Sequence, residues 1–267
     1  MSGTHLPQLV ARSVAAGVGR VHLNDPRRRN ALSKQLSDQL AAAVTDVIDD
    51  GAAAILLTAE PPVFCAGGSL EGLLDREVPL ADTYAGYRAL MQAPVPTIAA
   101  VAGAAVGAGV NLPLACDVVI AAESARFDPR FLDVGIHPGG AHLWRLVQRV
   151  GVQGAAALVL LGDMLSGAEA LAHGFAWRCV PDADLESVAL ALATRVTQRS
   201  APLVRRTKQT LQATLAATTF EEAFSLELDA QEWSVNQPEF ADTVRRIQAG
   251  IAARKAGGAT TSPSAGR

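Results

Sequence analysis

Two stretches of this 267-residue chain could do chemistry with their backbone alone. The first is FCAGGSL (64–70), which follows an apolar run and a Pro61-Pro62 break; the second is VAGAAVGAGV (101–110), set between a strand pattern and a helical pattern. Small residues after a strand leave N–H groups unpaired and accessible, and those at a helix start also gain the positive end of its dipole. Two such groups converging on one point would stabilise an oxyanion. The same glycines would equally serve close packing, and the pattern alone leaves both readings open. A dinucleotide fingerprint fails at the second turn, because Leu112 stands where the third glycine of GxGxxG should be. No Gly-Lys-Ser/Thr exists, which excludes a phosphate loop. Ser69 as a nucleophile would need a base, and the sequence identifies none, which sets a serine peptidase aside.

The elements that must position these turns follow from periodicity. Residues 8–14 and 18–23 read as two strands around an Ala16-Gly17 turn. Ser33 starts a helical pattern through Asp49, with Leu36, Leu40, Val44, Val47 and Ile48 on one stripe. Residues 52–59 form a buried strand, 80–92 a helix, 97–103 a strand, 108–115 a helix and 117–123 a strand. This alternation predicts an α/β domain over residues 1–184. From 185 to 255 the pattern is helical throughout (185–198, 202–217, 220–236 and 239–255), with Pro202 and Pro238 as punctuation, and predicts a separate helical region. Residues 256–267 are a polar low-complexity tail expected to be disordered.

Composition bounds the function. Hydrophobic residues make up 49%, charged residues 18% and aromatic residues 4%, so the core must be built from Ala, Val and Leu. A net charge of −3 gives no field for holding a polyanion, so nucleic acid is not an expected partner. Cys65, Cys116 and Cys179 are widely spaced and read as buried free thiols in a reducing compartment; without CxxC or CxxH spacing they predict no metal site. The first residues, MSGTHLPQLVARS, show no basic region followed by an apolar run, and apolar stretches break before about 18 residues. A cytoplasmic protein without a membrane span is the expectation.

Several motifs in collinear order resemble the enoyl-CoA hydratase/isomerase, or crotonase, superfamily. They are NDPRRRNALS (24–33), FCAGGSL (64–70), VPTIAAVAGAAVGAGVNLPLACDVVIA (95–121), ARFDPRFLDVGIHPGGAHLWRL (125–146), LSGAEALAHGFAWRCVP (165–181) and APLVRRTKQTL (201–211). The resemblance covers roughly residues 8–255. It implies a spiral of ββα repeats followed by a helical C-terminal oligomerisation region that builds a homo-trimer, often stacked as a hexamer. It also implies a coenzyme A thioester as substrate or ligand, with no further cofactor, and a thioester oxygen held between two backbone N–H groups. On this sequence those belong to Gly68 and Ala108. Ala66, Gly67, Ser69, Leu70, Gly107, Pro138 and Gly139 would surround the thioester. Ala31 and the arginines Arg28 and Arg29 would lie near the adenosine and phosphates, where the alternative for Arg27–Arg29 is a solvated loop.

The resemblance also implies two glutamates holding a water in hydratases. Here their positions carry Asn111 and Phe131. Asn can hold a water but cannot take its proton, and Phe can do neither. His137 and His142 flank the turn PGGA, and His137 is the candidate base, against a structural role for each. Asp117 reads as structural, Asp133 and Glu71 as outward-facing, and Asp128 as an acidic neighbour. Two functions follow: an acyl-CoA enzyme working through enolate stabilisation with weak or no hydration, or a non-catalytic acyl-CoA binder that presents or senses its ligand.

Overall fold

A computed structural model describes residues 7–74 and 78–258. Strands β1 (Val10–Ala15) and β2 (Val18–Leu23) form an antiparallel hairpin. Ala16 and Gly17 between them both take positive φ, the backbone of a two-residue type I′ turn. Helix α1 (Lys34–Asp49) begins at Ser33, whose Oγ accepts from Leu36 N at 3.1 Å. Its buried stripe is Leu36, Leu40, Ala43, Val44 and Val47, the spacing of one helix face. Then come β3 (Ala54–Ala59), α2 (Leu70–Leu74), α3 (Ala85–Gln92), β4 (Thr97–Val101), β5 (Ala104–Val106), α4 (Asn111–Ala115), β6 (Val118–Ala122) and β7 (Arg126–Asp128). Helix α5 (His142–Leu160) leads to β8 (Leu165–Ser166), α6 (Gly167–Ala172), β9 (Arg178–Val180) and α7 (Leu185–Thr194).

Six strands make the main sheet in the order β1-β2-β3-β4-β6-β9, with every pair after the hairpin parallel. Its inner strands are apolar on both faces because both faces are covered. Ile55, Leu57, Ala99, Val101, Val119 and Ala121 join one core with the buried stripe of α1. Leu56, Ile98, Ala100, Ile120 and Ala122 join a second core with Leu185, Ala189 and Ala193 of α7. A smaller sheet, β5-β7-β8, is extended by isolated parallel bridges Cys65↔Ala105 and Leu32↔Gly68. Each ββα turn thus sends one strand to the main sheet and a short one to the second sheet, from whose ends the glycine turns emerge.

Four details differ from the sequence expectation. The strand expected over 97–103 stops at Val101, because Gly103 at φ +69° turns the chain into β5. The helices expected at 80–92 and 108–115 both open with tighter 3-10 turns, at Leu80–Tyr84 and Gly107–Val110. The helical region expected from residue 185 divides later: α7 belongs to the second core of the sheet, and the compact units separate after Arg205. The second unit holds α9 (Phe220–Val235) and α10 (Pro238–Gly258), while α8 (Ala201–Thr214) crosses the division. Of the tail expected at 256–267, residues 256–258 continue α10 and the rest lies outside the described residues. Among the described residues, no helix is long and apolar enough to cross a membrane.

Candidate active site

The two glycine turns are joined by backbone hydrogen bonds. Cys65 N donates to Ala104 O at 3.1 Å, and Val106 N donates to Cys65 O at 2.9 Å. The first turn is tied on its other side to residues 29–32: Ala66 N donates to Arg29 O, Leu32 N to Gly67 O and Ser69 N to Leu32 O, at 2.7 to 3.0 Å. In this parallel pattern the Gly68 N–H faces away from Leu32. It donates to no acceptor among the described residues. Ala108 is the second residue of its 3-10 turn, so no carbonyl of that turn can accept from its N–H. No other acceptor for it occurs among the described residues.

Glycine is required here by close backbone approach. A Cβ on Gly67, at φ +95°, would lie 2.6 Å from Val106 O and 3.7 Å from Ala108 N. A Cβ on Gly109 would lie 2.4 Å from Cys65 O. The left-handed position of the second turn is Gly107 at φ +50°, whereas Ala108 is not among the residues with positive φ. Alanine therefore sits at 108 without strain and keeps its N–H.

A cavity of about 360 Å³ lies over both turns. Ala66, Gly67, Gly68, Ser69 and Leu70 line it from the first turn, and Gly107, Ala108 and Asn111 from the second. Phe131, His137 and Gly139 close it from the segment before α5. The cavity omits Arg28, Arg29, Ala31 and Pro138 from the set expected around the ligand. Arg28 and Arg29 are exposed, Ala31 is half-buried and Pro138 is buried. Among the described residues, no Asp or Glu lines the cavity.

Asn111 is 2% exposed and its carboxamide is engaged twice. Its Nδ2 donates to Gly139 O at 3.1 Å, and its Oδ1 accepts from His142 Nδ1 at 2.7 Å. His142 is 1% exposed, and burial alone lowers its pKa to about 4, so the ring is neutral at pH 7. Phe131, 7% exposed, meets the His142 ring edge-on with centroids 4.9 Å apart. The exposed His137 donates from Nδ1 to Pro138 O at 2.8 Å, which leaves its Nε2 as an acceptor.

Other groups singled out in the sequence have structural partners or face out. Asp117 Oδ2 accepts from both Thr97 N and Thr97 Oγ1, at 2.8 and 3.0 Å. Asp128 is buried against the Arg130 guanidinium, whose Nε donates to it at 2.8 Å. Asp133 and Glu71 are exposed. Ser69 Oγ accepts from Gly72 N. Cys65 donates to Asn30 O, and burial pushes its thiol up to about 12, which makes it inert as a nucleophile. Cys116 is buried and Cys179 half-buried, and neither is joined in a disulfide. No cluster of three metal-ligating side chains occurs among the described residues.

The far wall is made by Leu73, Val78, Leu80, Thr83, Tyr84 and Tyr87, from a segment whose individual residues the sequence does not single out. Burial raises both tyrosine pKa values, an effect that the nearby Arg145 partly offsets at Tyr87. A Cβ on Gly139 would lie 2.3 Å from the Tyr84 hydroxyl, so this wall closes directly on the Asn111 side. One signal was available: the chain has two tyrosines, three residues apart, and both line the cavity.

The sequence matches the enoyl-CoA hydratase/isomerase family over residues 13–248. The chain belongs to that family. A Mycobacterium tuberculosis protein described as probable enoyl-CoA hydratase EchA14 is 40% identical over 250 residues, 90% of this chain and 97% of that one. A Mycobacterium bovis protein described as probable enoyl-CoA hydratase EchA8 is 37% identical over 196 residues, 72% of this chain and 76% of that one. Among solved structures, human enoyl-CoA hydratase domain-containing protein 3 aligns with a TM-score of 0.84 at 25% identity, covering 91% of this chain and 98% of that one. An enoyl-CoA hydratase from Polaromonas sp. JS666 aligns with a TM-score of 0.84 at 25% identity, covering 90% and 97%. The two-sheet spiral with its C-terminal helices is thus the crotonase fold of this family.

Proposed function

We propose that this family member binds acyl-CoA thioesters and stabilises a thioester enolate through Gly68 N–H and Ala108 N–H, with weak or no hydration. The observation that carries the reading is the pair of unspent N–H groups on two turns packed against each other at one cavity wall. Preorganised donors of this kind act where negative charge develops and need no reorganisation during reaction. Hydration has little support: positions 111 and 131 carry a doubly engaged carboxamide and a phenyl ring, and the described lining holds no carboxylate. His137, with Nδ1–H spent on Pro138 O, offers Nε2 as the base for proton transfer.

The missing carboxylates equally favour a second reading, an acyl-CoA binder without turnover. The ligand is the coenzyme A thioester itself, with no further cofactor, and a cytoplasmic setting fits cysteines that are not joined in disulfides. Arg28 and Arg29, exposed beside the first turn, are suited to the phosphates of the ligand. A homo-trimer or hexamer would cover apolar side chains that α9 and α10 expose, among them Phe220, Phe224, Phe240, Ile247 and Ile251. Calorimetry with a medium-chain acyl-CoA, beside a crotonyl-CoA hydration assay, tests the reading. Binding with hydration far below that of an ordinary hydratase is expected, and hydration at that ordinary rate would overturn it.

A further inference from the structure

The far wall of the cavity is tied to the core at one residue. Ser37 lies in the buried stripe of α1 and is fully buried itself, a polar side chain in a core position. Its hydroxyl is spent on the wall: Oγ donates to Thr83 O at 2.8 Å and accepts from Gly86 N at 2.9 Å. The two bonds bracket Tyr84 and hold its backbone on α1. A Cβ on Gly86 would lie 2.8 Å from both Leu40 Cβ and Ser37 O, so α3 touches α1 at that point. The tyrosine side chain is seated at its other end as well. A Cβ on Gly139 would overlap the Tyr84 hydroxyl, and one on Gly140 would lie 2.9 Å from Tyr84 Cε1 and 3.1 Å from Asn111 Nδ2. Two missing side chains thus make the room that the ring fills, beside Asn111 on the cavity wall.

We propose that Tyr84 is a specificity-determining residue, a fixed stop that admits short and medium straight-chain acyl groups and refuses the end of a long one. The inference rests on the acyl-CoA reading above and adds the length of the acyl group. With the thioester oxygen on Gly68 and Ala108, the acyl chain has only the rest of the cavity to enter, and Tyr84 stands on its opposite wall. Each methylene buried there adds about fourfold to affinity, so affinity climbs with chain length until the chain meets a wall that does not yield. A side chain with free rotamers on a loose loop would yield. Tyr84 does not, because Ser37 brackets its backbone and Gly139 and Gly140 seat its ring. The volume points the same way: about 360 Å³ is at the small end of ligand pockets, which run to about 1,000 Å³, and the thioester itself takes part of it.

Isothermal titration of the full-length protein with butyryl-, octanoyl- and dodecanoyl-CoA tests this. Octanoyl-CoA should bind at least roughly tenfold more tightly than butyryl-CoA, and dodecanoyl-CoA no more tightly than octanoyl-CoA. In Tyr84→Ala the climb should continue, with dodecanoyl-CoA roughly tenfold tighter than octanoyl-CoA, the gain from about two newly buried methylenes. Tyr84→Phe keeps the ring and should keep the wild-type order. Wild-type affinities that are equal for all three, or that climb through dodecanoyl-CoA, would overturn the proposal. So would an order unchanged in Tyr84→Ala, or one extended equally in Tyr84→Phe. The wild-type series needs no variant to fold. Failure of all three thioesters to bind would instead refute the acyl-CoA reading beneath it.

Discussion

Replacing Gly67 by alanine should damage the molecule far more than the same change at Gly107, although both glycines have positive φ. At Gly107, φ is +50° and nothing lies within 4 Å of a new Cβ, so the cost is the left-handed backbone of an L-residue, about 1–2 kcal/mol. Gly67 at φ +95° carries that cost and adds a Cβ 2.6 Å from the carbonyl oxygen of Val106, a backbone atom that cannot swing aside. Overpacking of this kind adds about 1–3 kcal/mol, for a total of about 2–5 kcal/mol. A domain of this size loses about 2–4 °C of Tm per kcal/mol, so Gly67→Ala should fall by roughly 4–20 °C and Gly107→Ala by roughly 2–8 °C. The strain at 67 is relieved by parting the turns, which separates Gly68 N–H from Ala108 N–H, so acyl-CoA affinity should fall in the same variant. Thermal unfolding and calorimetry on both variants read the two effects. If Gly67→Ala melts no lower than Gly107→Ala, the turns are not held by that close approach and the argument fails.

Asn111→Glu alone should leave crotonyl-CoA hydration at its starting level, because residue 131 remains Phe and the new carboxylate faces Gly139 O with no proton to donate; robust hydration in a spectrophotometric assay would contradict this. His142 gives a pH signature of known sign. Its folded pKa of about 4 lies below the ordinary 6.5, so the unfolded state binds the extra proton first, and stability falls as pH drops from about 6.5 to about 4. The part due to this ring is on the order of 3 kcal/mol, and denaturant melts should show it missing from His142→Asn. Light scattering at micromolar concentration should give three chains or a multiple of three, and a monomer would contradict the oligomer that the exposed apolar residues of α9 and α10 support.

Much of the architecture is legible in the sequence because its signals are local. The apolar stripe of α1, the Ser33 cap and the continuous apolar strands β3, β4 and β6 each sit within a dozen residues or so and have one period. Strands β5, β7, β8 and β9 have two or three residues, too short for any alternation to show. Helix α5 escapes because Gly151, at φ 71° and ψ 173°, interrupts its period. The helix α7 reads like the helices after it, and only packing shows that Leu185, Ala189 and Ala193 face the sheet. At the site, small residues following strands announce the two turns, since only such residues tolerate the approach of Val106 O and Cys65 O. The Tyr84 and Tyr87 wall has no such local cause. His142 and His137 look equivalent in sequence; a 2.7 Å bond spanning 31 residues distinguishes them.

In the proposed site one thioester oxygen meets two backbone donors. A crystal structure of the protein with butyryl-CoA tests it directly. The thioester oxygen should lie within about 2.7–3.2 Å of both Gly68 N and Ala108 N. A thioester bound with its oxygen turned away from either nitrogen would contradict it.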